Sequence, residues 1–378
     1  MLFLIFQFAM KFSLLSAIAL FASATTAQTN NIFTVFDDRA RTLIEEDEFL
    51  LFFQNVKVNR ACHEQNANYI SSLKAGQYST SAFYNCFRTL DQINEFIDTL
   101  VAQNSNLVSK FAISKTYKGA TIYGYKLTKG HSKSLYFQAL QHAREWVAGS
   151  SILFSFSSIL DGIANKKPTA ADEYDLYFVP VVNIDGYEMS WKDGYRSKRT
   201  NANEVDLNRN WPTPFENPNP PVKGDGTYPG LKPFSEPEAA GINEWLLSKR
   251  DEIQGFLDIH AWRGLILYPY GDNNQTIGGG FDEKFQDLGR GLQNAMGEYA
   301  PGPSYTLYAS YGLFKDYAFR EFKKAAVTIE VIGDTYIAKA STIPTRGLEV
   351  YKGINQFAKE VTVFNGEDVT PNKPSHGD

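Results

Sequence analysis

One stretch constrains this chain more than any other. An apolar run, Leu135 to Leu140, passes without a spacer into Gln141-His142-Ala143-Arg144-Glu145-Trp146 and on into a second apolar run ending near Leu160. The first run has the length and composition of a buried strand, and the second that of a helix. A strand that feeds straight into a helix belongs to a layered α/β fold. His142 and Glu145 stand three apart in the junction. On the first turn of a helix, or in a tight turn entering one, such residues share a face. One imidazole and one carboxylate are two of the three protein ligands of an open zinc site. Taken alone, an H-x-x-E is equally a surface histidine beside an exposed glutamate.

A third ligand must come from elsewhere, and the chain has five histidines: His63, His131, His142, His260 and His376. His131 sits in a polar turn, His376 in a polar tail, and His63 beside Cys62 with no ligand cluster around it. His260 ends the alternating apolar run Gly255-Phe256-Leu257-Asp258-Ile259, which reads as a strand presenting the imidazole at its carboxyl end. In open α/β sheets, sites gather at those ends. A hydrogen-bonded core histidine is the plainer account of His260 by itself.

Asp206-Leu207-Asn208-Arg209-Asn210-Trp211 sets an amide beside a guanidinium in a proline-turned loop, with Arg196 and Arg199 upstream. A guanidinium fork binds a carboxylate bidentately, and a further arginine can stabilise a developing oxyanion. A solvated basic loop explains the same charges. Late in the chain, Glu330 interrupts the apolar strand Ala325 to Ile332. Glutamate is depleted in strands, and a structural ion pair or a general base would account for it.

The remaining pattern alternates. Phe111 to Lys129 reads as paired strands broken at Lys118-Gly119, and Tyr174 to Asn183 as a buried strand. Trp146 to Leu160 reads as a helix. So does the stretch from Ser235, its expected cap, to Leu247, and so do Phe281 to Tyr299 and Arg346 to Phe364. Strands alternating with helices imply a sheet covered on both faces.

Taken together, these residues resemble the zinc carboxypeptidases of the digestive carboxypeptidase A/B type. The likeness runs from about Phe83 to Phe364 through His142 to Trp146, Asp206 to Trp211, Tyr228-Pro229-Gly230, Phe234 to Glu238, Ile259-His260, Leu267 to Gly271, Tyr308 to Asp316, Thr328-Ile329-Glu330 and Ile343-Pro344-Thr345. The resemblance implies an α/β fold with a mixed, mostly parallel, twisted eight-stranded sheet flanked by helices on both faces. It implies one Zn2+ per chain, held by His142, Glu145 and His260, with Glu330 as general base. Arg196 is implied as the oxyanion residue, from a segment Tyr195-Arg196-Ser197-Lys198-Arg199 that departs from the family pattern at Tyr195 and Ser197. That departure leaves Arg199 as a second choice. Asn208 and Arg209 would bind the terminal carboxylate of the substrate, Arg144 would lie further out along the cleft, Tyr308 would cap the bound residue, and Asp206 would orient His142. Lys315 falls where the floor of the side-chain pocket is expected, which implies a preference for acidic C-terminal residues, with Asp258 able to neutralise it.

The stretch from Arg196 to Gly230 lacks the disulfide of the mammalian digestive members. The two cysteines, Cys62 and Cys86, lie upstream of it. Residues 1–27 read as a signal peptide, starting at Met1 or Met10 and cleaved after Ala24 or Ala27. In a secreted chain two cysteines imply one bridge. Residues 28–80 read as an acidic, pro-like segment. Both a truncated pro-segment and a permanent extension tethered by a Cys62–Cys86 bridge fit it. Residues 81–365 make the catalytic domain, and 366–378 a polar tail. Asn274-Gln275-Thr276 is a glycosylation sequon in a polar loop.

A net charge of −5 gives no reason to expect nucleic acid. No stretch after the leader is long and apolar enough to suggest stable membrane insertion. The whole reads as a secreted monomer acting on peptide and protein C-termini, with a vacuolar or lysosomal lumen as the alternative location. A catalytically inactive carboxypeptidase-like binding protein is the second reading.

Overall fold

The computed structural model describes residues 54–366. The leader, the first half of the pro-like segment and most of the polar tail lie outside them. The described residues form one folded unit.

Eight strands make one sheet: β1 (Val108–Lys115), β2 (Thr121–Leu127), β3 (Ser134–Ala139), β4 (Asp175–Val179), β5 (Ile253–Trp262), β6 (Leu265–Tyr268), β7 (Ala300–Pro303) and β8 (Ala325–Ile332). Their spatial order is β1-β2-β4-β3-β5-β8-β6-β7. The pairs β3/β4, β3/β5, β5/β8 and β6/β7 are parallel. The pairs β1/β2, β2/β4 and β6/β8 are antiparallel. This is the mixed, mostly parallel sheet that the family resemblance implied. The central strands are buried on both faces, which is why β3 and β8 read as near-continuous apolar runs.

The helices are α1 over 54–65, α2 (Leu90–Gln103), α3 (Trp146–Ala164), α4 (Ile184–Ser190), α5 (Pro237–Ser248), α6 (Phe281–Met296), α7 (Phe314–Phe322) and α8 (Ile343–Phe364). Alternation along β5 separates two covered faces. A Cβ at Gly255 would press into Val361 and Phe357 of α8, whereas Phe256 packs on Phe314 and Phe322 of α7. Phe256, Asp258 and His260 therefore share the α7 side. The expectation that no stretch after the leader is long and apolar enough to cross a membrane is corrected: α3 passes by length and composition, but most of it is buried within the protein. It packs against α8 and the sheet.

A second correction concerns a helix cap. Ser235 does not cap α5: the cap position is Glu236, and Ser235 Oγ instead donates to the Glu236 carboxylate at 2.8 Å. The described part of the pro-like segment, residues 54–80, packs into the core of the catalytic domain. Val56, Tyr69, Leu73 and Tyr78 are buried in the same core as Phe83 and Phe96, and Asn59 Oδ1 accepts from the Phe87 amide at 2.9 Å. Cys62 and Cys86 are bridged, with Cα atoms 5.9 Å apart.

Candidate active site

The turn between β3 and α3 carries the first two predicted ligands. Leu140 takes a left-handed backbone (φ 59°), the chain reverses, and Glu145 becomes the residue that opens α3. His142 and Glu145 thus lie in the tight turn entering the helix. The Glu145 amide donates to the His142 carbonyl at 3.2 Å.

β5 brings in His260. Its Nδ1 lies 2.9 Å from His142 Nδ1 and 3.0 Å from Glu145 Oε2, while His142 Nδ1 lies 2.9 Å from Glu145 Oε1. All three residues are buried. On the far side of each ring stands a carboxylate: Asp206 Oδ1 is 3.1 Å from His142 Nε2, and Asp258 Oδ2 is 2.8 Å from His260 Nε2. Each Nε2–H then donates to its carboxylate, and each Nδ1 can present a lone pair. Without a metal, a proton on His260 Nδ1 facing Glu145 Oε2 and the Arg199 Nη1 beside His142 Nδ1 relieve the convergence; a cation would take the place of that proton. The donor set, two imidazoles and one carboxylate with a fourth direction open to a cleft, fits zinc.

Electrostatics follow the same geometry. Burial opposes ionisation of Glu145, but the His142 and His260 imidazoles hold its carboxyl far below the usual range. Burial would lower His260, yet Asp258 and Glu145 hold it well above the ordinary value. Asp206 is likewise held well below its ordinary value against burial, by Arg199 first and His142 next.

The β5–β8 register sets His260 opposite Glu330. Burial, and then the Glu145 carboxylate, push the Glu330 carboxyl up to about 7. A bound cation would favour its ionised form.

The cleft beside this cluster is lined by Arg144, Arg199, Asn208, Arg209, Tyr308 and Lys315, together with Glu330. Asn208 Oδ1 accepts from the Phe314 amide at 2.9 Å, which ties its loop to the start of α7. The Arg209 guanidinium reaches the Tyr308 hydroxyl at 3.2 Å. Gly312 crosses tightly over that loop: a Cβ there would lie 2.0 Å from the Arg209 carbonyl oxygen. Its φ of +67° favours glycine as well. The Arg144 guanidinium lies over the Tyr336 ring, 4.1 Å from its centroid. The buried Lys315 ammonium lies 2.9 Å from Asp316 Oδ1. Asp258 is engaged instead with His260, Gln138 and Gln141, so Asp316 is the residue that compensates Lys315.

Of the predicted residues, Arg196 is the one the structure takes away from the cleft. It is 2% exposed, and its guanidinium is enclosed by Asn55, the Arg144 carbonyl and the Trp146 ring. Arg199 occupies the cleft wall in its stead. It donates to Asp206 at 2.7 Å, and its Nη1 lies 3.2 Å from His142 Nδ1 and 3.7 Å from Glu145 Oε1. The departures at Tyr195 and Ser197 were the signal that the segment's register was uncertain. Asp258 was read only as a neighbour of Lys315. The i, i+2 spacing of Asp258 and His260 on one strand face was enough to pair them.

Residues 93–353 match the family model described as zinc carboxypeptidase. Human carboxypeptidase A6 is 28% identical over 256 residues, covering 63% of this chain and 58% of the relative. Mouse carboxypeptidase A1 is 32% identical over 224 residues, covering 55% and 52%. The chain thus spans between half and three fifths of the length of these relatives. Among solved structures, bovine thrombin-activatable fibrinolysis inhibitor, in complex with tick carboxypeptidase inhibitor, superposes with a TM-score of 0.68 at 23% identity, over 74% of this chain and 99% of that one. Carboxypeptidase A from Helicoverpa armigera gives 0.70 at 21%, over 80% of each chain. These two likenesses concern the fold.

Proposed function

The chain belongs to the zinc carboxypeptidase family, and from that premise we propose that it removes single residues from the C-termini of peptides and proteins. One observation carries the reading: His142 and Glu145 of the His142–Glu145–His260 cluster line the same cleft as Glu330 and the Asn208–Arg209 pair. When bound at that cluster, zinc supplies Lewis acidity toward the scissile carbonyl and lowers the pKa of water to about 7.

The chain's own residues do the rest. Arg209 and Asn208 hold the terminal carboxylate by charge-assisted hydrogen bonds, and that fixes the last peptide bond over the cluster. Glu330 takes a proton from the attacking water and passes it to the leaving amine. Arg199, fixed by Asp206, faces the oxygen where negative charge develops; Arg196 has no access to it. Asp206 and Asp258 orient the two imidazoles. Tyr308, half exposed at the rim and bonded to Arg209, closes over the bound residue. Lys315 at the buried end favours a C-terminal Glu or Asp, with Asp316 moderating its charge. The Cys62–Cys86 bridge supports an oxidising, secretory or extracellular location.

Retention of every ligand and of Glu330 speaks against a non-catalytic binding role. The test is hydrolysis of a blocked dipeptide with a free C-terminus. Chelation should abolish it and zinc should restore it. The C-terminal amide should be a poor substrate, because Arg209 would face an uncharged group. Comparable turnover of acid and amide would overturn the exopeptidase assignment.

A further inference from the structure

We propose that α1 is a working part of the active site: a strut that holds the metal-ligand turn from behind through Asn55 and Arg196, both of them positioning residues. The inference rests on the ligand assignment of His142, Glu145 and His260, not on the peptidase reaction.

Arg196 is an unusual buried cation. Its Nε donates to Asn55 Oδ1 at 2.9 Å, its Nη1 to the Arg144 carbonyl at 2.6 Å, and its plane lies 3.7 Å from the centre of the Trp146 ring. Its Nη2 finds no acceptor among the described residues. Each of these partners is neutral: an amide, a carbonyl and an indole. A buried charge without an acid beside it is costly, and an apolar side chain of similar volume would fill the space at less cost. The two groups that Arg196 grips belong to residues 144 and 146, on either side of Glu145. The guanidinium therefore brackets a metal ligand along the backbone, and it does so from the side of the turn away from the cleft.

Arg196 is in turn aimed by α1. Asn55 sits at the start of that helix, and the helix is fastened at several points. Arg60 donates to the Trp191 carbonyl at 2.8 Å, and Trp191 stacks on Trp146 with centroids 3.9 Å apart. Asn59 holds the Phe87 amide, and Cys62 is bridged to Cys86. Val56 and Asn59 are each 1% exposed. The path from α1 to the ligand turn is thus a chain of direct contacts: Asn55 to Arg196 to Arg144 carbonyl, and Arg60 to Trp191 to Trp146. A processing cut that removed Asn55 would remove the strut.

The experiment uses the full chain and four variants: Asn55→Ala, Asn55→Asp, Arg196→Met and Arg196→Lys. The readouts are the rate of zinc release to a chromogenic chelator, kcat, KM and Tm. Partners that orient metal ligands typically change metal affinity or activity by about 10- to 100-fold. Arg196→Met and Asn55→Ala should accordingly release zinc about tenfold faster or more and lose a similar factor in kcat, with KM little changed. Asn55→Asp keeps the acceptor and should behave as the parent. Arg196→Lys, which cannot span both acceptors, should resemble Arg196→Met. Parent-like zinc release and kcat in Asn55→Ala overturn the proposal, whatever happens to its Tm. Asn55 is only half buried, so that variant decides the matter even if Arg196→Met fails to fold. If the parent binds zinc yet hydrolyses no peptide, the peptidase reading falls, while the zinc-release rates still judge the strut.

Discussion

His260 and Glu330 stand directly opposite one another across the parallel pair β5/β8. The register places both at the carboxyl ends of their strands and on the α7 side of the sheet. A slip of one residue would turn every side chain of β8 to the other face and take Glu330 out of the cleft. Burial first, and the Glu145 carboxylate next, push the Glu330 carboxyl up to about 7 against the opposing pull of His260, and a cation in the cluster would draw it toward ionisation.

Replacing Glu330 by Gln keeps the shape and removes the proton acceptor. General acid–base groups contribute about 10²- to 10⁴-fold, so kcat should fall within or below that range. Glu330 is not among the ligand cluster, so one equivalent of zinc should stay bound through dialysis. Near-parental kcat at full zinc occupancy contradicts the role of Glu330.

Lys315 predicts which residue is removed. Its ammonium uses one donor on Asp316 Oδ1, and Asp316 Oδ2 is taken by the Gly271 amide. An ammonium has three donors, so two remain for a guest carboxylate. An apolar guest would leave them unpaired in a buried pocket. We expect kcat/KM for blocked dipeptides to fall in the order Glu, Phe, Lys, with Glu ahead of Phe by about tenfold. Lys315→Ile should reverse the first two. A parent enzyme that prefers Phe or Lys removes the basis for acidic specificity.

The disulfide should matter to stability. It closes a loop with a sequence separation of 24, for which chain entropy gives roughly 3–4 kcal/mol. The Cys62→Ser, Cys86→Ser double variant should unfold at markedly lower denaturant, measured by tryptophan fluorescence. An unchanged midpoint would show that the core contacts of residues 54–86 hold that segment without help.

The parts legible from sequence were those in which one local pattern carried the chemistry. His142 and Glu145 sit in a strand-to-helix junction, and Glu330 breaks an apolar strand. Neither needs long-range information to be noticed. Lys315 and the Asn208–Arg209 pair were placed through family resemblance, because a pocket floor has no local signature. Arg196 and Arg199 lie three residues apart in an irregular loop without periodicity, and only packing decides which one turns inward. Asp316 was missed because its partner is the adjacent residue, whose side chain meets it only through the first turn of α7. The sequence left the segment 54–80 open between a pro-segment and a permanent extension, because its apolar Val56, Tyr69, Leu73 and Tyr78 are scattered among polar residues without a period, and only packing shows that they reach the core.

Glu238 gives the chain a stability that depends on pH. It is fully buried at the start of α5, where its carboxylate accepts from the Tyr117 amide at 2.9 Å and lies 3.4 Å from the Asn201 amide nitrogen. Burial is the main reason its carboxyl is pushed up to about 7, with the nearby Glu236 adding to the rise and the Tyr117 bond opposing it. An ordinary glutamate in the unfolded chain titrates near 4.3. The folded state therefore binds this proton more tightly than the unfolded state does. Its stabilisation is complete below about pH 4.3 and is lost progressively as pH rises toward 7. A shift of that size corresponds to about 4 kcal/mol. Urea midpoints of the parent, with other carboxylates contributing their own slopes, should carry this downward component between pH 5 and 7. Glu238→Gln is neutral throughout and keeps an acceptor for Tyr117, so its midpoint relative to the parent should rise across that interval. Parallel curves for parent and variant from pH 4 to 8 would show that Glu238 ionises in the folded protein as it does in water.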